Sequence, residues 1–358
     1  MNPTASRRVA LVDLASRHAE VAEEVERETA AVLRSGRWIG GETVARAETA
    51  AAAFLSRRGA VGVASGTDAL LLALQAIGID RGDEVIVPAL TFFATAGAVR
   101  AAGAEVVVAD VGEDGLLDED AARKVIGPRT RAVVPVHLFG SVARAPNLDL
   151  VVVDDAAQAV GATPAPSVGR LTTVSAYPTK TWSAAGDAGF VVGDDPELLD
   201  GVRRLGTHAT IDAHVHGLVR GHAGRASRLD AVQAAVLLAH APLVPERVAR
   251  RRALAARYDR ELPPGMRSLP RSEGSAVLVY AILAERRTEL RTALDAAGID
   301  SAVYYPRPLD RQPALAGARS GPTPTASWLC ERLLALPVHE ALEPQDADRV
   351  LEVLWAHR

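Results

Sequence analysis

Leu150-Val151-Val152-Val153-Asp154-Asp155-Ala156-Ala157-Gln158 runs four apolar residues, three of them β-branched, directly into two carboxylates. A continuous Val-rich run has no polar face to offer solvent, so it reads as a strand covered on both sides, as in a parallel sheet sandwiched by helices. The same grammar repeats outward from it. Residues 60–64, 84–87, 105–109 and 132–136 are short apolar runs, and residues 68–77, 93–102 and 118–125 between them carry helical spacing. Strands alternating with helices predict an α/β fold with a large, mainly parallel sheet and helices on both faces. Residues 188–193 add a further strand, free to run antiparallel. Ligands of such sheets sit at the carboxyl ends of the strands, which is where Asp154 and Asp155 fall.

The flanks complete the plan. Residues 14–33 predict a helix ended by Ser35-Gly36, and residues 42–55 an Ala-rich second one. Residues 229–262 read as a long Arg-rich helical stretch broken at Pro242 and Pro245. Pro263-Pro264-Gly265 then marks the expected boundary between an N-terminal arm plus large domain (residues 1–262) and a small C-terminal α+β domain (residues 263–358). In the small domain a strand is expected at 276–283 and helices at 288–297, 327–334 and 346–356.

Composition narrows the function. Of 358 residues, 48% are hydrophobic and 23% charged, which excludes a disordered or fibrous chain. Lys and Arg number 40 against 44 Asp and Glu, a net charge of −4 that supplies no general basic field for nucleic acid or an anionic membrane. Cys330 is the only cysteine, so intrachain disulfides and Cys-rich zinc or iron–sulfur sites are excluded. Apolar stretches such as residues 69–79 are interrupted, here by Gln75 and Gly78, and fall short of a bilayer span. The stretch from Met1 does not read as an export signal, and a cytoplasmic protein is expected.

Three places carry chemistry. Ser65-Gly66-Thr67-Asp68 follows an expected strand and opens an expected helix, where Gly66 permits close approach, Thr67 offers a hydroxyl and the helix terminus favours an anion. Taken alone it is equally a capped helix start, and it is neither a Walker A loop nor a GxGxxG fingerprint. Asp154-Asp155 is costly at a buried strand end unless paired. Such an acid holds a metal, orients a base or pairs with a cationic ring nitrogen; the plain alternative is a solvated strand end. Lys180 closes an apolar run in a chain whose cations are mostly arginine, and a desolvated lysine is a good Schiff-base nucleophile. Ser175, five residues earlier, adds a hydroxyl. Phosphate loop, aromatic Phe92, strand-end acid, Gln158, Ser175 and Lys180 in that order are the set that pyridoxal phosphate requires. No metal site is expected. His208, His214, His216 and His222 lack the carboxylates to complete one and read as an active-site loop, and His137 reads as a core histidine.

The sequence resembles the DegT/StrS-type sugar aminotransferases, pyridoxal phosphate enzymes of the aspartate-aminotransferase fold. The resemblance rests on Ser65-Gly-Thr-Asp-Ala-Leu, Gly82-Asp-Glu-Val-Ile-Val-Pro, Thr91-Phe-Phe-Ala-Thr, Pro135-Val-His-Leu-Phe-Gly, Asp154-Asp-Ala-Ala-Gln-Ala, Gly186-Asp-Ala-Gly, Ser227-Arg-Leu-Asp, Tyr305-Pro-Arg-Pro-Leu and Leu336-Pro-Val-His, in order along nearly the whole chain. It implies that Lys180 is the Schiff-base lysine, that Asp155 pairs with the pyridine nitrogen and that Gln158 meets the phenolic oxygen. Phe92 then stacks on the ring, while Gly66, Thr67 and Ser175 hold the phosphate. It further implies transfer of an amino group from L-glutamate to a keto sugar carried on a nucleotide, closest to the dTDP-3-keto-6-deoxyhexose aminotransferases of antibiotic glycoside biosynthesis, in a homodimer with its active sites at the interface. Tyr304, Tyr305 and Trp38, with Trp182, are expected at the substrate mouth.

Some positions depart from the family pattern. Ala226 stands where an Asn two residues before the equivalent of Arg228 reaches the partner subunit's cofactor phosphate, a contact worth roughly 1.5–3 kcal/mol; Arg225 or Ser227 is expected to substitute. Thr181 replaces a frequent Asn, Ala176 a usual aromatic, and the segment between Gly161 and Ser175 is short. Two other readings compete: the same chemistry on a non-nucleotide carbonyl, as in an aminocyclitol aminotransferase or aminohydroxybenzoate synthase, and a non-catalytic regulatory protein of this fold.

Overall fold

The computed structural model describes residues 7–358, so the part of the N-terminal reading that concerns residues 1–6 lies outside the described residues. Strands form where the Val-rich runs lie: β1 (Gly59–Val63), β2 (Glu84–Pro88), β3 (Glu105–Ala109), β4 (Thr130–Val133), β5 (Val151–Asp155), β6 (Leu171–Ser175) and β7 (Gly189–Gly193). Six more are short: β8 (Thr210–Asp212), β9 (Val215–His216), β10 (Arg267–Ser268), β11 (Tyr280–Leu283), β12 (Arg319–Ser320) and β13 (Leu333–Leu336). The main sheet is eight-stranded in the order β1-β7-β6-β5-β4-β2-β3-β12. Only β7 runs against its neighbours, pairing antiparallel with both β1 and β6.

Both faces of that sheet are covered, and the alternation of side chains shows how. Val85 and Val87 of β2, with Val106 and Val108 of β3, join one core cluster, while Ile86 and Val107 between them join another on the opposite face. The first cluster takes in α4 (Gly66–Ala76), α5 (Ala94–Ala101) and α7 (Pro196–Leu205); the second lies under α6 (Glu119–Lys124). A third cluster packs α3 (Gly41–Phe54) and α8 (Ala231–His240) on β7 through Phe190 and Val192. The single N-terminal helix expected at 14–33 is two, α1 (Leu14–Ala19) and α2 (Ala22–Ser35), the latter ended by Gly36 at φ +67°.

After α9 (Val244–Glu261) the chain turns through Pro263–Gly265 and builds a three-stranded antiparallel sheet, β10-β11-β13, with α10 (Arg287–Ala296) and α12 (Pro344–Ala356). The helix expected at 327–334 ends earlier, as α11 (Pro324–Arg332). The Leu333–Leu336 run that follows pairs with β11, because four apolar residues there fill both faces of the small sheet. We retain the turn at 263–265 as the proposed boundary, with two segments crossing it. β12 adds a parallel edge to β3 of the main sheet. At the other end of the chain, Val9 bridges Ile299 and is buried in the small unit's core.

Candidate active site

The carboxyl ends of β1, β5 and β6 open on a cavity of about 460 Å³, closed from the opposite side by residues of the small unit such as Tyr305 and Val338. Successive residues of a strand point to opposite faces, and this separates the two acids at the tip of β5. Asp155 lines the cavity. Its Oδ2 accepts a hydrogen bond from Thr95 Oγ1 at 2.8 Å and its Oδ1 one from the Ala157 N–H at 3.1 Å, while Thr95 Oγ1 lies 3.0 Å from Thr91 Oγ1. Burial raises the Asp155 carboxyl above its ordinary range, against the pull of these donors and of the Lys180 charge. Asp154 points away from the cavity. Its Oδ2 accepts from the N–H groups of Val168 and Gly169 and from Thr172 Oγ1, at 2.7–2.9 Å, and burial lifts it to about 6. Asp154 braces the turn into β6.

The phosphate-type cradle forms between β1 and α4. Ser65 caps α4 by accepting from the Asp68 N–H at 3.1 Å, leaving the helix terminus open toward the cavity beside Gly66 and Thr67. A Cβ on Gly66 would stand 2.5 Å from the Ser175 Cβ, so glycine is what lets the helix start abut β6. Gly189 is needed next door, where a Cβ would meet the Ser65 backbone at 2.5 Å. Exposed N–H groups at a helix terminus, flanked by two hydroxyls and kept open by a missing Cβ, fit an anion of phosphate size.

Lys180 lies in the irregular segment after β6, partly buried and lining the same cavity. Burial lowers its amine below the ordinary lysine range, with the Asp155 carboxylate pulling the other way. Among the described residues Nζ has no hydrogen-bond or ion-pair partner, which leaves it free to act on a ligand. Gln158 is aimed by two contacts: Oε1 accepts from the Phe139 N–H at 2.6 Å, and Nε2 donates to Tyr305 Oη at 3.3 Å. Phe92 stands half-exposed at the cavity wall, its ring centroid 6.2 Å from that of Tyr305. Burial raises both the Tyr304 and the Tyr305 phenols.

Lys180, Asp155, Gly66, Thr67, Phe92, Gln158, Ser175, Tyr304 and Tyr305 thus share one cavity. Three other expected residues do not line it in this chain. Arg225 pairs with Asp68 at 3.5 Å, on the outer side of the α4 start. Ser227 is buried, its Oγ accepting from the Ala64 N–H at 3.1 Å just before the cradle. Trp38 is exposed, 56% of its surface open. Trp182 is a correction: its indole is fully buried against Phe190, the rings 5.1 Å apart, and donates to the Leu237 carbonyl, because the surrounding Ala- and Leu-rich helices offer it core. His137 is buried, accepts from the Ala143 N–H and is pushed by burial to about 3, hence neutral. His208, His214 and His216 sit on or beside the β8–β9 hairpin, away from this cavity. His222 is tied to Gln75 and the Ile79 carbonyl. No group of three metal-ligating side chains occurs among the described residues, nor any helix long and apolar enough to cross a membrane.

Thr95 escaped the sequence reading as a site residue although it stands in the quoted Thr91-Phe-Phe-Ala-Thr stretch; an ordinary threonine at a helix start gives no sign that it will face an acid 60 residues away.

The chain matches the model of the DegT/DnrJ/EryC1/StrS aminotransferase family over residues 19–355. It is 39% identical to a dTDP-3-amino-3,4,6-trideoxy-alpha-D-glucose transaminase of Streptomyces venezuelae, across 98% of this chain and 97% of that one. It is 35% identical to a pleiotropic regulatory protein of Geobacillus stearothermophilus, across 96% and 97%. Among solved structures it superposes on S. venezuelae DesV in complex with a ketimine intermediate at a TM-score of 0.93 and 37% identity, covering 98% of this chain and 99% of that one.

Proposed function

We propose, from the premise that this chain belongs to the DegT/DnrJ/EryC1/StrS aminotransferase family and is a pyridoxal 5′-phosphate-dependent sugar aminotransferase, that its amino donor is L-glutamate and its acceptor a dTDP-linked keto-deoxyhexose. The reading extends to a homodimer working in the cytoplasm on deoxyamino sugars of antibiotic glycosides. The observation that carries it is the convergence of an unpartnered Lys180, a buried Asp155 and the open start of α4 on one cavity.

Bound pyridoxal phosphate supplies an aldehyde that ferries nitrogen and a ring that takes up electrons. Each residue has a task set by its surroundings. The α4 N–H groups at Gly66 and Thr67, with the Ser175 hydroxyl, neutralise the phosphate. Asp155, as a carboxylate, would pair with the protonated ring nitrogen and keep it positive; Thr95 steers its Oδ2. At an effective dielectric of about 20, opposite charges about 4 Å apart gain roughly 4 kcal/mol, enough to hold the proton there. Gln158 Nε2 serves the phenolic oxygen and Phe92 the ring face. Lys180 Nζ, desolvated and therefore readily neutral, would take a proton from the substrate carbon and deliver it to the cofactor carbon that bears the transferred nitrogen. Tyr304, Tyr305 and Trp38 serve the sugar, and Arg225 supports the partner subunit's cofactor phosphate where Ala226 has no side chain to offer; Ser227, buried with its Oγ held by the Ala64 N–H, does not substitute.

The experiment is a panel of 3-keto and 4-keto dTDP- and UDP-hexoses offered with L-glutamate and read by mass spectrometry. Replacement of the carbonyl oxygen by an amine on a dTDP-hexose, with 2-oxoglutarate formed in equal amount and both lost in Lys180→Ala, is the expected result. Amination of UDP-sugars alone, or of none, overturns the substrate assignment.

A further inference from the structure

The segment carrying Lys180 is irregular, and irregular backbone must find its partners elsewhere. Lys180 donates its N–H to the Tyr177 carbonyl and Ala184 closes back on Ala176. Among the described residues, however, no main-chain N–H reaches the carbonyl of Pro178 or of Lys180. Both are taken by one side chain more than 160 residues earlier in the chain. Arg17 of α1 donates through Nη1 to the Lys180 carbonyl at 2.8 Å and the Pro178 carbonyl at 3.0 Å, with Ser183 Oγ at 3.4 Å.

Arg17 is 3% exposed, and a guanidinium so placed needs a counter-charge. Glu340, just beyond β13, provides it: Arg17 Nε reaches Glu340 Oε1 at 2.5 Å, and Arg251 of α9 holds Glu340 Oε2 at 2.8 Å. Arg251 in turn donates to the Leu278 and Val338 carbonyls behind the cavity wall. Burial would raise the Glu340 carboxyl, but the two guanidiniums outweigh it and hold it at about 2, so Glu340 stays ionised across any working pH. A planar fork is what the position demands, since one face must meet an acid while the other meets two carbonyls.

We infer that Arg17 is a positioning residue for Lys180: held by Glu340, it fixes the backbone from which the lysine side chain reaches into the cavity. This rests on the reading of Lys180 as the residue that bonds pyridoxal phosphate. It departs from a merely structural role in one measurable way. Pyridoxal phosphate carries an aldehyde with which a lysine amine condenses, releasing water, whereas pyridoxamine phosphate carries an amine there and has no such bond to make. Phosphate, ring and Asp155 contacts are common to both, so the ratio of the two affinities isolates what depends on where Lys180 stands.

The test titrates the full-length apo-protein with each cofactor form and traps the covalent adduct with borohydride, located by peptide mass spectrometry. Arg17→Gln is expected to weaken pyridoxal phosphate by about ten- to a hundredfold while pyridoxamine phosphate binds as in the wild type, and to slow trapping at Lys180 to match. Arg17→Lys, which keeps a charge beside Glu340 but cannot span both carbonyls, should fall between, and it carries the same ratio if Arg17→Gln does not fold. An unchanged ratio, with both forms weakened equally or neither, overturns the inference. Absence of any adduct at Lys180 in the wild type overturns instead the underlying reading, and the inference with it.

Discussion

The two faces of the β5 tip hold adjacent acids under opposite regimes. Asp154 takes three short hydrogen bonds on Oδ2 from the turn and strand that follow it, leaves Oδ1 buried without a hydrogen-bond partner among the described residues, and has nothing but protein around it. Asp155 has two donors and a cavity in front of it. Both are buried and both are raised by burial. The difference lies in what each one faces: for Asp154 the packed fold, for Asp155 a cavity open to a ligand. A buried charge left for a ligand to satisfy costs the unliganded fold and is returned on binding, so loss of charge should relieve a burial penalty at both acids but remove activity only at Asp155.

Asp155→Asn is the strongest break. Turnover should fall by about a hundredfold or more, while the melting temperature of the apo-protein stays level or rises, because a penalised carboxylate has gone. Calorimetry beside steady-state kinetics checks this; a lower melting temperature with turnover intact would reverse the comparison. Next comes pH. Asp154 moves from an ordinary 3.8 to about 6 in the fold. Because the folded value lies above the unfolded one, the fold binds this proton more tightly, so the contribution is most favourable below about 4 and is lost as pH climbs to about 6, amounting to about 3 kcal/mol in all. Denaturant midpoints of the wild type relative to Asp154→Asn should decline over that window and then run parallel.

Asp154→Ala should cost about 2 kcal/mol at neutral pH, since the Val168 and Gly169 N–H groups and the Thr172 hydroxyl lose their acceptor, yet leave the kcat of the folded fraction within about twofold. The smallest effect sharpens the cavity side. Thr95→Val removes the hydroxyl that favours the ionised form of Asp155, so the acid limb of the kcat/KM profile should move to higher pH, checked by kcat/KM measured across pH for both proteins.

Much of the site was legible beforehand because its parts stand at strand ends. Val-rich runs announce buried strands, a buried strand ends in loops at the sheet edge, and polar residues there are costly unless they work. That reasoning reaches Gly66, the Asp154-Asp155 pair, Gln158, Ser175 and Lys180, and the family resemblance singles out Asp155 within the pair. It failed where a residue's role depends on distant partners. Trp182 was expected at the substrate mouth, but packing turned it into the core. Thr95 and Arg17 carry no local signal, since each acts on a group that only folding brings near.

What the sequence determined alone was the alternation of covered strands and helices, and with it the edge on which chemistry collects, because side-chain periodicity and burial are local properties of the chain. What only the tertiary structure decided was which partners each of two neighbouring acids meets, and which arginine, 163 residues away, grips the lysine's backbone. Register and long-range packing set those, and neither is written in any one segment.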